Sequence, residues 1–370
     1  MAFFGTPNSF LGIDIGTSSL KLVEIVDRKK RVELVTYAQA NIPNLLVGPK
    51  ETSDAAISKV ANVISQMMDK AGVSTDIVVA ALPSSTVFSS LLTMPDLPDQ
   101  EMDKAVRFSA RDVVPSDLNE MVLGWSKVAR EPHMETDVLT TSVAAGAQGA
   151  GPGISVGGEK IPVFLTAAPK AVVDRYIRVM DVLHLKIFAL EVETFPLVRS
   201  LLASPQDSAL LVDIGDRATT YHIIDRGTPR VSHTIEYGGY DISEKIAQAV
   251  GVSHEEGEQH KVEFGLGEAP ENITNAITAA VDVQAQKAKS LLALYQQKEG
   301  RAVSRTILIG GGANLKGLTA AWSAALGHNV SIGNPWKGLS YQQSLEAKLV
   351  ELGPTFGVAV GLAMRGLQSS

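Results

Sequence analysis

Leu11, Ile13 and Ile15 alternate with Gly12 and Asp14, the period of a strand with one buried face. Gly16-Thr17-Ser18-Ser19 then predicts a tight polar turn, and Leu20 to Val26 a returning strand. The same pattern recurs at Leu210 to Asp225: a buried strand, Asp-Ile-Gly, a small polar turn and a second strand. Both copies run through a charged turn (Asp27-Arg28-Lys29-Lys30; Asp225-Arg226-Gly227-Thr228-Pro229) into a third strand. Asp14 to Val32 and Asp213 to Val231 have equal spacing. A supersecondary unit repeated a domain's length apart implies two related lobes.

Between and after the copies the patterning continues. Arg31 to Ala38 predicts a third strand, and Thr52 to Lys70 an amphipathic helix capped by Ser53 or Asp54, with Ala56, Val60, Val63, Ile64 and Met67 inward. Asp76 to Leu82 predicts a buried strand. Leu91 to Pro98 is extended by its prolines, and Pro98 starts a helix reaching about Asp112, with Asp99 and Glu101 in its first turn. Strands follow at Val122 to Val128 and Asp137 to Val143, then a Gly/Ala-rich mobile tip from Ala144 to Gly158. Strand, helix and strand are expected at Ile161 to Ala168, Pro169 to Leu185 and Lys186 to Glu193. The second lobe opens near Leu201. It predicts helices to Val250, at Glu255 to Phe264, Asn272 to Gln297, Leu315 to Leu326 and Pro354 to Gly366, with a strand at Thr306 to Ile309.

A chain of 370 residues accommodates several such cores. No apolar run approaches the ~20 residues of a membrane span, and the start lacks the basic and apolar regions of a signal peptide. Zero cysteines exclude a disulfide framework and thiolate chemistry. A net charge of −7 without a basic stripe argues against nucleic acid as a partner. A cytoplasmic globular protein is expected. Phe3-Phe4 reads as a terminal apolar anchor or a membrane contact.

The turns carry the candidate chemistry. Gly16, Thr17, Ser18 and Ser19 offer successive N–H groups and hydroxyls to an anion, with the Lys21 ammonium beside them. Gly215, with Arg217, Thr219 and Thr220 nearby, is the second such turn. Asp14 and Asp213 would repel a bare phosphate, so their presence points to Mg²⁺ held through water. The alternative is a pair of structural hairpins. Gly310-Gly311-Gly312 after a strand costs backbone entropy, so something must approach that backbone. The seven histidines show no ligand spacing; His254 and His260 do not share a helix face.

Two Asp-x-Gly hairpins followed by a late triple glycine resemble the actin/Hsp70/sugar-kinase ATPase superfamily. That resemblance implies an α/β, actin-like (ribonuclease H-like duplicated) two-lobed ATPase fold, with ATP and Mg²⁺ as cofactors. It further implies that Gly238 and Gly239, and Gly310, Gly311 and Gly312, lie along ribose and adenine. Glu258 and Lys261 would contact the nucleoside, and Asn314 would sit nearby or cap the next helix. Glu193 would orient a water near the terminal phosphate or make an interdomain salt bridge. Met94-Pro95-Asp96-Leu97-Pro98, Phe164-Leu165-Thr166-Ala167-Ala168-Pro169-Lys170 and Leu190-Glu191-Val192-Glu193-Thr194-Phe195-Pro196 narrow the match. They resemble the PilM family, FtsA-like proteins of type IV pilus assembly, over nearly the whole chain. The long Gly/Ala loop and Phe108-Ser109-Ala110-Arg111 depart from that pattern.

The implied organisation is a first lobe over 1–90 and an FtsA-type inserted subdomain over 91–185. A connection over 186–200 and a second lobe over 201–235 and 300–352 follow, with its outer subdomain over 236–299 and a helix over 353–370 returning to the first lobe. The implied partner is the cytoplasmic N-terminal segment of a PilN-like inner-membrane protein within the pilus platform, which would place the chain at that membrane through its partner. Met94, Leu97, Arg107 and Arg111 are expected to wall the peptide's groove. Sugar kinase and FtsA-like self-associating filament are the competing classes. A kinase needs a carboxylate base at a substrate hydroxyl, and no such constellation is evident between Leu91 and Leu185. Nucleotide binding is expected, and the sequence leaves open whether it comes with a weak ATPase activity.

Overall fold

The computed structural model describes residues 9–28, 31–42, 53–127, 160–204 and 206–367. The strand expected at Asp137 to Val143, the Gly/Ala tip and Phe3-Phe4 lie outside them. Tertiary contacts divide the chain into two compact units, one of Met1–Val87 with Ala168–Ser370 and one of Phe88–Ala167.

The larger unit opens with β1 (Ser9–Ile15), β2 (Ser19–Arg28) and β3 (Arg31–Asn41), then α1 (Asp54–Ala71) and β4 (Ile77–Leu82). Ser53 caps α1 by accepting from the Ala56 N–H, and Gly72 ends it in the left-handed conformation. The smaller unit holds β5 (Phe88–Pro95), α2 (Asp99–Val113), β6 (Met121–Lys127) and most of β7 (Lys160–Pro169). Its three strands run in the order β5-β7-β6. Met102, Val106 and Ala110 of α2 pack on Met94, Ile161, Val163 and Leu165 of that sheet.

The chain then re-enters the larger unit as α3 (Lys170–Val182), β8 (Lys186–Val192) and α4 (Thr194–Leu201). The segment 91–185 is therefore split between the units: Tyr176, Val179 and Met180 of α3 pack with α1 on the first sheet. β8 is not a bare connection but the edge strand of that sheet. Next come β9 (Ala209–Ile214), β10 (Thr219–Asp225), β11 (Thr228–Ile235), α5 (Gly239–Val250), α6 (His254–Phe264) and α7 (Glu271–Glu299). β12 (Arg305–Ile309), α8 (Leu318–Leu326), β13 (Asn329–Ile332), α9 (Glu346–Leu352) and α10 (Gly357–Leu367) finish the fold.

Both five-stranded sheets have one topology: β3-β2-β1-β4-β8 and β11-β10-β9-β12-β13. In each, two antiparallel hairpin pairings adjoin two parallel ones. The helices α4 and α10 lie between the sheets, where Leu197, Val358 and Leu362 share a core with Val79 and Ala81 of β4 and with Leu211 and Ile309. Their crossing is close because it uses glycine: a Cβ on Gly361 would overlap the Pro196 carbonyl, and one on Gly12 of β1 would overlap the α10 backbone at Ala359. The helical run Gln343–Leu367 is long and apolar enough to span a membrane by length and composition, contrary to the sequence reading. Most of it is buried inside the fold, which accounts for its apolar character.

Candidate functional site

β1 and β9 end at the two polar turns, and their parallel neighbours β4 and β12 end beside them. Ligands of α/β sheets characteristically bind at these carboxyl ends of strands. The turns are built alike. The Gly16 N–H donates to the Ser19 carbonyl at 2.9 Å, and the Gly215 N–H donates to the Ala218 carbonyl at 2.9 Å. Asp14 faces Lys21 across the first hairpin, and Asp213 faces Thr220 across the second. Only the first aspartate thus has a cation as its cross-strand partner. Lys21 Nζ lies 3.6 Å from Asp14 Oδ2 and donates to Ser19 Oγ at 2.7 Å.

Glu193, immediately after β8, joins these groups. Its Oε2 accepts the Ser84 N–H at 2.8 Å. Burial, then the charges of Asp14 and Asp213, push its carboxyl up to about 8 against that hydrogen bond. Burial and the Asp14 charge likewise push Asp213 up to about 6, with Lys21 pulling it back. Three carboxylates from both sheets therefore crowd one cleft with a single ammonium. The site favours added positive charge. Among the described residues no group of three acids or histidines is arranged to ligate a metal directly. The fully buried Tyr176 hydroxyl, missed from sequence, has no hydrogen-bond partner among the described residues and feels the charges of Glu193 and Asp14.

Several expected nucleotide contacts are committed to the fold instead. The fully buried Thr219 hydroxyl donates to the Tyr237 carbonyl at 2.7 Å and accepts from Gln284 Nε2 at 2.8 Å. Thr220 shares a hydrogen bond with Thr234 at 3.1 Å. The Thr219 hydroxyl is therefore not free for the expected phosphate role. Thr17 is exposed, with Ser18 half-buried beside it. Arg217, on the second turn, lies over the Tyr240 ring at 3.5 Å, and Tyr240 stacks on His254 at 4.0 Å.

The glycines divide similarly. A Cβ on Gly238 would overlap the backbone of Asp216, and the Gly239 N–H donates to the Gly215 carbonyl at 2.9 Å. The start of α5 therefore braces the second turn, which requires glycine at 238, whereas a Cβ on Gly239 would meet only the flexible end of Lys261, at 3.3 Å. Lys261 Nζ reaches the Gly239 carbonyl at 2.9 Å and Glu258 at 2.5 Å, and Ser243 Oγ also donates to Glu258. Gly310 (φ +81°) and Gly312 are required by packing on Asp213 and Ile214. Gly311 alone among the three faces open space. Asn314 does not cap α8, whose N-cap is Gly317 with no side-chain bond. It lines a cavity of about 480 Å³ with Ile332, Gly333, Asn334, Val350, Glu351 and Pro354.

The expected peptide wall does not assemble. Met94 is buried in the smaller unit's core and Leu97 packs against it. Arg107 and Arg111 stand exposed on α2, on the side opposite its buried residues.

Comparison with known proteins agrees with this architecture. The family model for type IV pilus assembly protein PilM matches residues 12–149 and 152–367. The chain belongs to the PilM family. A solved PilM–PilN type IV pilus biogenesis complex contains a chain 25% identical, with a TM-score of 0.81, covering 98% of this chain and 99% of that one. Cell division protein FtsA of Streptococcus pneumoniae is 22% identical over 267 residues, 70% of this chain. The match spans only 57% of that relative's length. The ethanolamine utilization protein EutJ of Carboxydothermus hydrogenoformans matches at a TM-score of 0.55 and 16% identity, over 97% of this chain and 90% of its own. MreB5 of Spiroplasma citri, solved bound to AMPPNP, matches at 0.51 and 11%, over 99% and 98%. The fold of this PilM-family chain is accordingly the α/β, actin-like ATPase fold.

Proposed function

We propose that this chain is a nucleotide-switched adaptor of type IV pilus assembly. It binds ATP with hydrated Mg²⁺ between its two sheets. In that state it holds the cytoplasmic N-terminal segment of a PilN-like inner-membrane protein, which keeps it at the inner face of that membrane. The observation that carries the nucleotide half is the convergence of Asp14, Asp213 and Glu193 beside two identically built turns, with the Lys21 ammonium next to Asp14. The partner half rests on family membership and on similarity to the PilM chain of the PilM–PilN complex.

The residues suit the cofactor. Mg²⁺, when bound, would offset phosphate charge while Asp14 and Asp213 hold its waters. Ser18, half-buried on the first turn, offers a hydroxyl to phosphate, and Lys21 supplies a charge-assisted donor. Gly311 offers open backbone toward the nucleoside. Glu193, its carboxyl pushed up to about 8 by burial and by Asp14 and Asp213, is the group best placed to orient a water. The switch works through differential affinity: a ligand shifts lobe closure only by as much as it prefers one conformation.

Calorimetric titration of ATP with Mg²⁺ tests the reading. Lys21→Ala should weaken binding by roughly 1.5–3 kcal/mol, the usual worth of a hydrogen bond to a charged group, or about 10- to 100-fold. Asp213→Ala should remove the Mg²⁺ requirement, and ATP should tighten binding of a labelled PilN-like N-terminal peptide to the wild type. Unchanged ATP affinity in both variants would return the turns to structural hairpins.

A further inference from the structure

The outer face of α2 combines cations with one bare aromatic ring. Gln100, Lys104, Arg107, Phe108 and Arg111 are all exposed. At 100° per residue they fall within an arc of about 100°, and they span about 17 Å of helix. Phe108 is 68% exposed, the most of any large hydrophobic side chain among the described residues. Arg111 leans over its ring at 6.0 Å. Lys104, Arg107 and Arg111 have no ion-pair partner among the described residues. Nearby acids are engaged elsewhere: Asp96 and Asp99 pair with Lys127, and Asp103 accepts from Trp125. In a chain of net charge −7, three unpaired cations around one bare aromatic ring are a local reversal of sign.

We propose that this face docks an acidic peptide segment of a partner protein, one carrying carboxylates on either side of an apolar side chain. Arginine forks match carboxylates in pairs, and Phe108 supplies the apolar anchor that a purely electrostatic contact would lack. The stripe is one helix wide and bordered by Glu101 on one edge, Asp112 beyond it and Asp103 on the other. A linear segment meets the cations and avoids those borders, whereas a flat anionic membrane would meet the carboxylates as well. The surface belongs wholly to the smaller unit and does not depend on the nucleotide reading. It is also separate from a groove at Met94, which is buried.

The experiment uses the full chain and a fluorescein-labelled amphipathic peptide of glutamate and leucine, about four helical turns long. Fluorescence anisotropy should show saturable binding that weakens as salt rises. Arg107→Glu with Arg111→Glu should lose at least about tenfold in affinity, and Phe108→Ala about threefold or more. Both variants should keep the wild-type melting temperature and the wild-type affinity for ATP, since every altered side chain is exposed. Phe108→Ala, which changes no charge, stands as the test if the double variant fails to fold. Several results would overturn the assignment. One is peptide affinity unchanged by these substitutions, or no peptide binding at all. Another is sedimentation with phosphatidylserine vesicles without peptide binding, which would make the face a lipid contact. A third is wild-type self-association that the charge reversal abolishes while the peptide stays unbound, which would make the occupant a second copy.

Discussion

Glu193→Gln is the most informative single change to the cleft. The wild-type carboxyl is pushed up to about 8 by burial and by Asp14 and Asp213. In the unfolded chain it titrates near its ordinary 4.5. Below that value both states are protonated and Glu193 contributes no pH dependence. As pH rises towards 8 the unfolded chain releases this proton while the folded one retains it, so stability falls. The slope approaches about 1.4 kcal/mol per pH unit, which over the whole interval sets a ceiling of about 4–5 kcal/mol. Asp213, pushed up to about 6, adds a parallel fall at lower pH. Glutamine is neutral at every pH, and its amide oxygen can keep the Ser84 N–H bond, 2.8 Å in the wild type.

The variant and wild type should therefore melt together near pH 4.5, and the variant should melt higher as pH rises. Water entering the cleft makes the realised gap smaller than the ceiling, roughly 2–3 kcal/mol near pH 7.5, or several degrees in melting temperature. Thermal melting across pH 4.5–8 by circular dichroism reads this directly. A gap independent of pH, or a variant less stable throughout, would refute the claim that Glu193 is held protonated by its neighbours.

Gly311→Val should abolish nucleotide binding by occupying open space at the nucleoside side while leaving the melting temperature unchanged, since its φ is not positive and no atom approaches a Cβ there. Gly312→Ala is the contrasting control, expected to lower the melting temperature because its Cβ would overlap Ile214; equal melting of the two variants would contradict this packing. Gly361→Ala should destabilise by about 1–3 kcal/mol or more by forcing α10 away from the Pro196 carbonyl. Denaturant unfolding measures it, and a neutral result would mean that the α4–α10 crossing is loose.

The sequence by itself determined the repeated strand-turn-strand unit, because alternation sets which strand face is buried and small polar residues set the turn. From it followed the two aspartates, the single lysine and the duplicated sheet. Helix limits were legible where capping was local, as at Ser53 and Pro98. Only the tertiary structure decided which glycines serve packing. Gly238, Gly310 and Gly312 look alike in sequence to Gly311, yet each meets backbone or side chain brought from a distant segment. Strand parity hid the fate of Thr219, whose hydroxyl turns into the core toward Gln284, 65 residues away. The short elements α4, β13 and α9 carry too few residues to show a period; β13 buries only Val330 and α9 only Leu349. The unusual proton affinity of Glu193 was equally invisible. It arises first from burial and then from the charges of Asp14 and Asp213, which only folding brings into one cleft with it.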